Sequence, residues 1–116
     1  MEQKEETTGQ TYQVRISHNA LRNIDEIVGY IAFENHQPGN AMKIGSRIFE
    51  TFDRIGRHPF AFKECEELQS KAKQYRQAVC SSWLIIYKVM QLEIVILGVI
   101  HSAMKPSRIK SLRKVK

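Results

Sequence analysis

Residues 75–100 have the sequence YRQAVCSSWLIIYKVMQLEIVILGVI, and this segment determines the predicted architecture. It predicts three strands, Tyr75–Cys80, Trp83–Met90 and Glu93–Ile100. Only two residues separate each strand from the next, and connections this short join antiparallel neighbours. We therefore expect a three-stranded meander in the second half of the chain.

The last two strands of this meander are apolar on both faces. In each of them, apolar residues occupy nearly every position, so neither face is suited to water. A strand of this kind requires a packed layer on both sides. We expect helices to cover one face of the sheet, and we expect the other face to stay partly open as a groove for a partner.

On the N-terminal side of this meander, the sequence pattern predicts one strand and two helices. Residues 12–16 alternate apolar with polar side chains, as in a strand with one buried face. Ser17 is suited to cap a helix, and apolar residues at helical spacing continue it over about 18–35. A second apolar stripe covers 41–55 and ends before Pro59. The short connection predicts an antiparallel helix hairpin.

The predicted order is β-α-α-β-β-β, an α+β domain in which the helix hairpin packs on one face of a mainly antiparallel sheet. Residues 60–74 show no sustained period and are expected to form a loop. We divide the chain into a flexible arm at 1–11, one domain at 12–103 and a basic tail at 104–116. A chain of 116 residues suits a single domain and excludes multidomain machinery.

The net charge of +6 is concentrated in the tail. The tail contains six basic residues and no acidic one: Lys105, Arg108, Lys110, Arg113, Lys114 and Lys116. If the tail is helical, Ile109, Leu112 and Val115 form an apolar stripe opposite these cations, a pattern that suits docking on a partner or on DNA. The tail is therefore a candidate target-binding element, although a solvated tail that only aids solubility has the same composition.

Cys65 and Cys80 lack CxxC spacing and neighbouring histidines, so we expect free thiols and no metal site. The six glycines are dispersed and form no phosphate loop, so no cofactor is expected. An apolar leader and a run long enough to span a membrane are both absent from the sequence, which favours a cytoplasmic protein with no membrane partner.

Several patterns along the chain occur together in one known superfamily. They are the helices Ala20-Leu21-x-x-Ile24-x-x-Ile27-x-x-Tyr30-Ile31 and Arg47-Ile48-x-x-x-Phe52-x-x-Ile55, the strand with Arg76, the strand Trp83 to Val89 and the ending Ile96 to His101. In this order they resemble the RelE/ParE superfamily of bacterial type II toxins, and they are closer to ParE than to RelE. The resemblance covers about residues 12–103 and implies a growth-inhibiting toxin neutralised by a cognate antitoxin protein.

The resemblance implies two alternative targets. ParE-like members poison DNA gyrase by binding it, whereas RelE-like members cleave mRNA in the ribosome. Metal-free RNA cleavage requires proton-transfer groups and cations at the phosphate. Arg76 matches an arginine of the nucleases, and His101 is the second catalytic candidate.

The rest of the nuclease set does not match. Ala103 stands where the nucleases have a second arginine, the tail has no tyrosine, and only Lys71 and Lys73 are available as a basic pair before the meander. We therefore favour a gyrase-binding toxin that uses the basic tail, with the ribosome-dependent endonuclease as the alternative.

Overall fold

The computed structural model describes residues 12–116, and the predicted arm at 1–11 lies outside them. The strands are β1 Gln13–Ile16, β2 Lys63–Glu64, β3 Tyr75–Cys80, β4 Trp83–Val89 and β5 Glu93–His101. The helices are α1 His18–Gly29, α2 Pro38–Arg57 and α3 Pro106–Ser111. A π-helical turn, Tyr30–Glu34, follows α1, and 3-10 turns occupy Glu66–Leu68 and Leu112–Lys114.

The strands form one sheet in the order β1-β5-β4-β3-β2. The predicted meander is present, because β3 pairs with β4 and β4 pairs with β5, both antiparallel. β1 pairs with β5 in parallel. The predicted loop at 60–74 contains one strand that the sequence pattern did not indicate, since β2 lies within it and pairs with β3 through Lys63↔Gln77 and Glu64↔Arg76.

The predicted helix hairpin is confirmed and covers the first face of the sheet. Ser17 caps α1, since its hydroxyl oxygen accepts from the Ala20 amide at 3.0 Å. Pro38 opens α2, where its missing N–H removes no hydrogen bond. Both helices bury one apolar stripe against the same cluster of strand residues, which places the main core between the hairpin and the sheet.

A row of polar side chains joins α1 to β5 where β1 ends. The pairing of β4 with β5 shifts at Ile86/Tyr87, so β5 bulges near Leu97. The Leu97 carbonyl accepts from the Ser17 hydroxyl at 3.2 Å and from the Asn19 amide at 2.9 Å. The Val99 amide donates to Asn23 Oδ1 at 3.0 Å. Helix α1 therefore supplies the hydrogen bonds that a longer β1 would otherwise make.

The second face of the sheet is also covered over much of its area, so the open face that the sequence predicted is reduced to a smaller groove beside the tail. Ile109 and Leu112 of the tail are each 5% exposed and pack on this face with the buried Cys65 and Leu68. The predicted tail stripe exists, but it packs on the chain's own sheet. A Cβ at Gly98 would lie 3.0 Å from Leu112 Cδ2, so the glycine provides the space for this packing.

Candidate functional site

Arg76 lies on β3 and holds the segment between α2 and β3 in place. Its Nε donates to the Lys73 carbonyl at 3.2 Å, and its Nη1 donates to the Phe62 carbonyl at 3.1 Å. The guanidinium also lies 5.0 Å from the centre of the Phe60 ring. These contacts stabilise the irregular segment and direct the side chain toward its own backbone.

Tyr87 also fixes the segment between α2 and β3. Its buried hydroxyl donates to the Pro59 carbonyl at 2.6 Å. Burial raises the pKa of Tyr87, and the nearby positive charge of Arg76 only partly opposes this. The phenol therefore stays protonated and serves as a hydrogen-bond donor to the chain just beyond α2.

His101 lies at the other end of the sheet. Its Nδ1 accepts from the Ala103 amide at 3.1 Å, and its ring meets Trp83 edge-on with centroids 5.1 Å apart. The imidazole lines a groove of about 190 Å³ together with Tyr30 and Arg108. We call this the histidine groove.

The structure does not bring Arg76 and His101 together. Arg76 lies beside Tyr87, whereas His101 lies beside Trp83, four positions away on β4 and on the opposite neighbouring strand. At usual strand dimensions, this separates them by about 13 Å along the sheet and about 10 Å across it. The two side chains therefore do not converge on one phosphate group.

The tail cations divide into three sets. Arg108 lines the histidine groove. Lys105 and Lys110 line neither this groove nor the second groove that the remaining three cations help to form. The other three help to form a groove of about 350 Å³ on the second face, which we call the cationic groove. It is lined by Arg15, Lys88, Met90, Val95, Leu97, Arg113, Lys114, Val115 and Lys116.

Contacts to Tyr75 hold two cations at this groove. Lys88 Nζ lies 5.5 Å and the Arg113 guanidinium 5.2 Å from the centre of the Tyr75 ring. Arg113 also donates to the Gln69 carbonyl at 3.2 Å. Arg15 forms an ion pair with Glu93 at 3.4 Å, and no other carboxylate of residues 12–116 pairs with a cation of the groove.

The sequence interpretation did not include Arg15 and Lys88 among the candidate residues. Lys88 is the only charged residue of β4, and Arg15 is an exposed position on β1, directly opposite Val95. A charge inside an otherwise apolar strand was the available signal for Lys88. The proximity of both to the tail depended on how the tail packs, which the sequence did not reveal.

Thiols, metal-binding clusters and membrane-spanning helices were the remaining candidate features within residues 12–116. Cys65 and Cys80 are both buried free thiols. No group of three or more His, Cys, Asp or Glu side chains within 12–116 is arranged to hold a metal ion. None of the helices in the same range has the length and apolar character needed to cross a membrane.

Comparison with known proteins identifies the family. The family model for "ParE toxin of type II toxin-antitoxin system, parDE" matches residues 14–106. The chain belongs to the ParE toxin family. This confirms the superfamily that the sequence patterns resemble. The search among curated proteins gave no match.

Solved structures confirm the ParE-like fold. A structure described as the chromosomal ParDE TA system from P. aeruginosa has a TM-score of 0.61 and 17% identity, covering 79% of this chain and 97% of the other. The RelBE2 toxin–antitoxin complex from Mycobacterium tuberculosis has a TM-score of 0.57 and 19% identity, covering 78% and 98%. At these identities the similarity concerns the α+β fold alone.

Proposed function

We propose that this ParE-family toxin arrests growth by binding DNA gyrase noncovalently in the cytoplasm, and that a cognate antitoxin protein holds it inactive. The observation that carries a binding role over a catalytic one is the separation of Arg76 from His101. In addition, the Arg76 guanidinium already donates to two backbone carbonyls and contacts an aromatic ring. A metal-free nuclease would need such groups together at one phosphate.

The proposed contact surface is the basic tail together with the strands beneath it. All six tail cations are exposed, while the tail segment that carries them is fixed to the sheet through Ile109 and Leu112. A fixed set of charges loses less conformational entropy on binding than a free tail does. The surface therefore suits an acidic region of a protein target.

A paired assay tests this proposal. Purified toxin should block DNA supercoiling by gyrase and should leave ribosome-bound mRNA intact. The opposite result, message fragments that disappear with Arg76→Ala and unchanged supercoiling, would establish the endonuclease alternative. Because Arg76 holds the segment before β3, circular dichroism of the variant must accompany that measurement.

The target-binding role of the tail is tested by removing its charges and not by deleting it. Truncation at Met104 would uncover the second face of the sheet, since Ile109 and Leu112 pack there. We expect Arg113→Gln combined with Lys116→Gln to weaken gyrase inhibition about threefold to tenfold, at the usual strength of exposed charge pairs. An unchanged inhibition constant in that variant would refute a target-binding role for these cations.

The antitoxin partnership is tested by co-expression. A neighbouring reading frame that encodes a small acidic protein should restore growth and should copurify with the toxin. Growth arrest that continues with a stably expressed neighbour protein would contradict this part of the proposal.

A further inference from the structure

The turn between β4 and β5 exposes two large apolar side chains. Met90 is 45% exposed and Leu92 is 62% exposed, although most residues of β4 and β5 are buried. The turn is fixed by two backbone hydrogen bonds. The Met90 amide donates to the Glu93 carbonyl at 2.8 Å, and the Gln13 amide of β1 donates to the Leu92 carbonyl at 3.0 Å. The two apolar side chains therefore project from a rigid support.

A depression of about 550 Å³ lies beside this turn and continues into the cationic groove, since Lys88 and Met90 line both. Glu93 is the only carboxylate that lines the depression within residues 12–116, and it is paired with Arg15. Three glutamines line it as well, namely Gln13, Gln74 and Gln91. Their side-chain amides make no hydrogen bond to another group of the described residues. The depression therefore places amide groups beside a cationic surface.

We propose that this turn binds duplex DNA, with Met90 and Leu92 in the minor groove and the neighbouring cations on the phosphates. Proteins that bind the minor groove combine the same three parts. Apolar side chains wedge between base steps, amide side chains contact base edges, and cations contact the flanking backbone. The contact requires only the toxin and DNA, so it is separate from the proposed binding of gyrase.

Two other anionic partners fit this surface less well. Insertion into a membrane would place the Gln91 amide, which lies between the two apolar residues, in hydrocarbon without hydrogen-bond partners. The minor groove offers base acceptors to the same amide. A single strand is bound mainly by stacking on aromatic rings. The ring that contacts these cations, Tyr75, is only 5% exposed and already packs against Lys88 and Arg113.

The test measures binding of the full chain to a short duplex with 2-aminopurine at its centre, by fluorescence anisotropy across a salt series. Lys88→Gln should reduce the slope of log affinity against log salt by about one, the value for one lost phosphate contact. Leu92→Ala should keep that slope and weaken binding about fivefold at every salt concentration, since it removes buried apolar surface. It should also abolish the rise in 2-aminopurine fluorescence that unstacking by an inserted side chain causes.

Matched variants on α2 provide the control. Met42 and Lys43 are exposed, and neither lines the depression or the cationic groove. Met90→Ala should weaken duplex binding, whereas Met42→Ala should change it less than about twofold. Lys43→Gln should leave the salt slope unchanged, because it removes a charge away from the proposed contact. Circular dichroism of each variant verifies that the fold is retained.

Several outcomes would overturn the inference. They are the absence of duplex binding at low salt, equal changes in slope for the two lysine variants, and 2-aminopurine fluorescence that does not rise on binding. Tighter binding to an RNA duplex, to a polythymidine strand or to phosphatidylglycerol vesicles would also overturn it. Blocked supercoiling without duplex binding would refute this contact and leave the proposed function standing. Duplex binding beside normal supercoiling would refute only the gyrase target.

Discussion

The two faces of the sheet are both buried, but they are covered by very different amounts of chain. On the first face, α1 and α2 cover strand residues with helices of 12 and 20 residues. On the second face, cover comes from α3 of 6 residues, the 3-10 turn after it and the short segment that contains Cys65 and Leu68. Helices below about a dozen residues are marginal alone and depend on packing.

This difference separates the part of the chain that fixes the sheet from the part that presents the tail cations. The helix hairpin fixes the sheet, whereas the tail adds a small cover that also presents the cations. Elements held by few buried contacts open at lower free-energy cost than the main core. We therefore expect substitutions on the first face to reduce global stability and substitutions on the second face to act mainly on the tail.

The largest effect should follow a substitution at the centre of the first face. Ile48 of α2 is fully buried, and Ile48→Ala should lower the free energy of unfolding by about 2–5 kcal/mol through lost burial and a cavity. Urea denaturation followed by circular dichroism measures this. Met42→Ala, on the same helix but 74% exposed, should change it by less than about 0.5 kcal/mol. Equal losses would mean that the hairpin does not form the main core.

The next effect concerns the polar junction between α1 and β5. Asn23→Ala leaves the Val99 amide without its partner, and we expect a loss of about 1–3 kcal/mol in thermal or urea unfolding. Asn19→Ala is the matched control and should cost less, because the Leu97 carbonyl keeps the Ser17 hydroxyl as a donor. A larger loss for Asn19→Ala would contradict this account of the bulge.

A smaller effect should appear on the second face. Gly98→Ala places a Cβ 3.0 Å from Leu112 and 3.2 Å from Asn23 Oδ1, and we expect a cost of about 1 kcal/mol. Hydrogen exchange should speed up in α3 more than in α2. Gly45→Ala is the control, since its Cβ meets only Val28 at 3.7 Å and alanine favours the helix. An exchange pattern that is the same in both helices would remove the distinction between the two faces.

The sequence predicted the hairpin and the meander because both follow from local periodicity. Apolar spacing of the two helical stripes and two-residue turns between strands determine those elements without knowledge of distant contacts. β2 was missed because it has only two residues, Lys63 and Glu64, and both are charged. The π-helical turn was missed because its sequence continues the helical apolar pattern.

The cover of the second face depended on a contact that local patterns do not encode. The apolar β5 indicated that both faces are buried, and the spacing of Ile109, Leu112 and Val115 indicated a stripe. Neither pattern tells whether the two meet each other or a separate protein. The deciding feature is Gly98, whose missing side chain leaves room for Leu112, but a glycine inside a strand is equally typical of a bulge or a sharp bend. The separation of Arg76 from His101 likewise became visible only with the strand register.

The last effect appears only at high pH and concerns Cys65, a fully buried thiol beneath the tail. Burial, with the nearby Glu67 carboxylate second, raises the pKa of Cys65 from 9.0 to about 11. The unfolded chain therefore loses this proton first, so folding stability should fall as pH rises from about 9 to about 11. Cys65→Ala should remove that part of the dependence of folding stability on pH when unfolding is measured across this range.

The same thiol reports on the opening of the second face. Iodoacetamide should label Cys65 of the folded protein slowly at pH 8, since the thiolate is the reactive form. Gly98→Ala should accelerate labelling if release of the tail opens this face. Rapid labelling of the unaltered protein would show that the second face opens readily on its own.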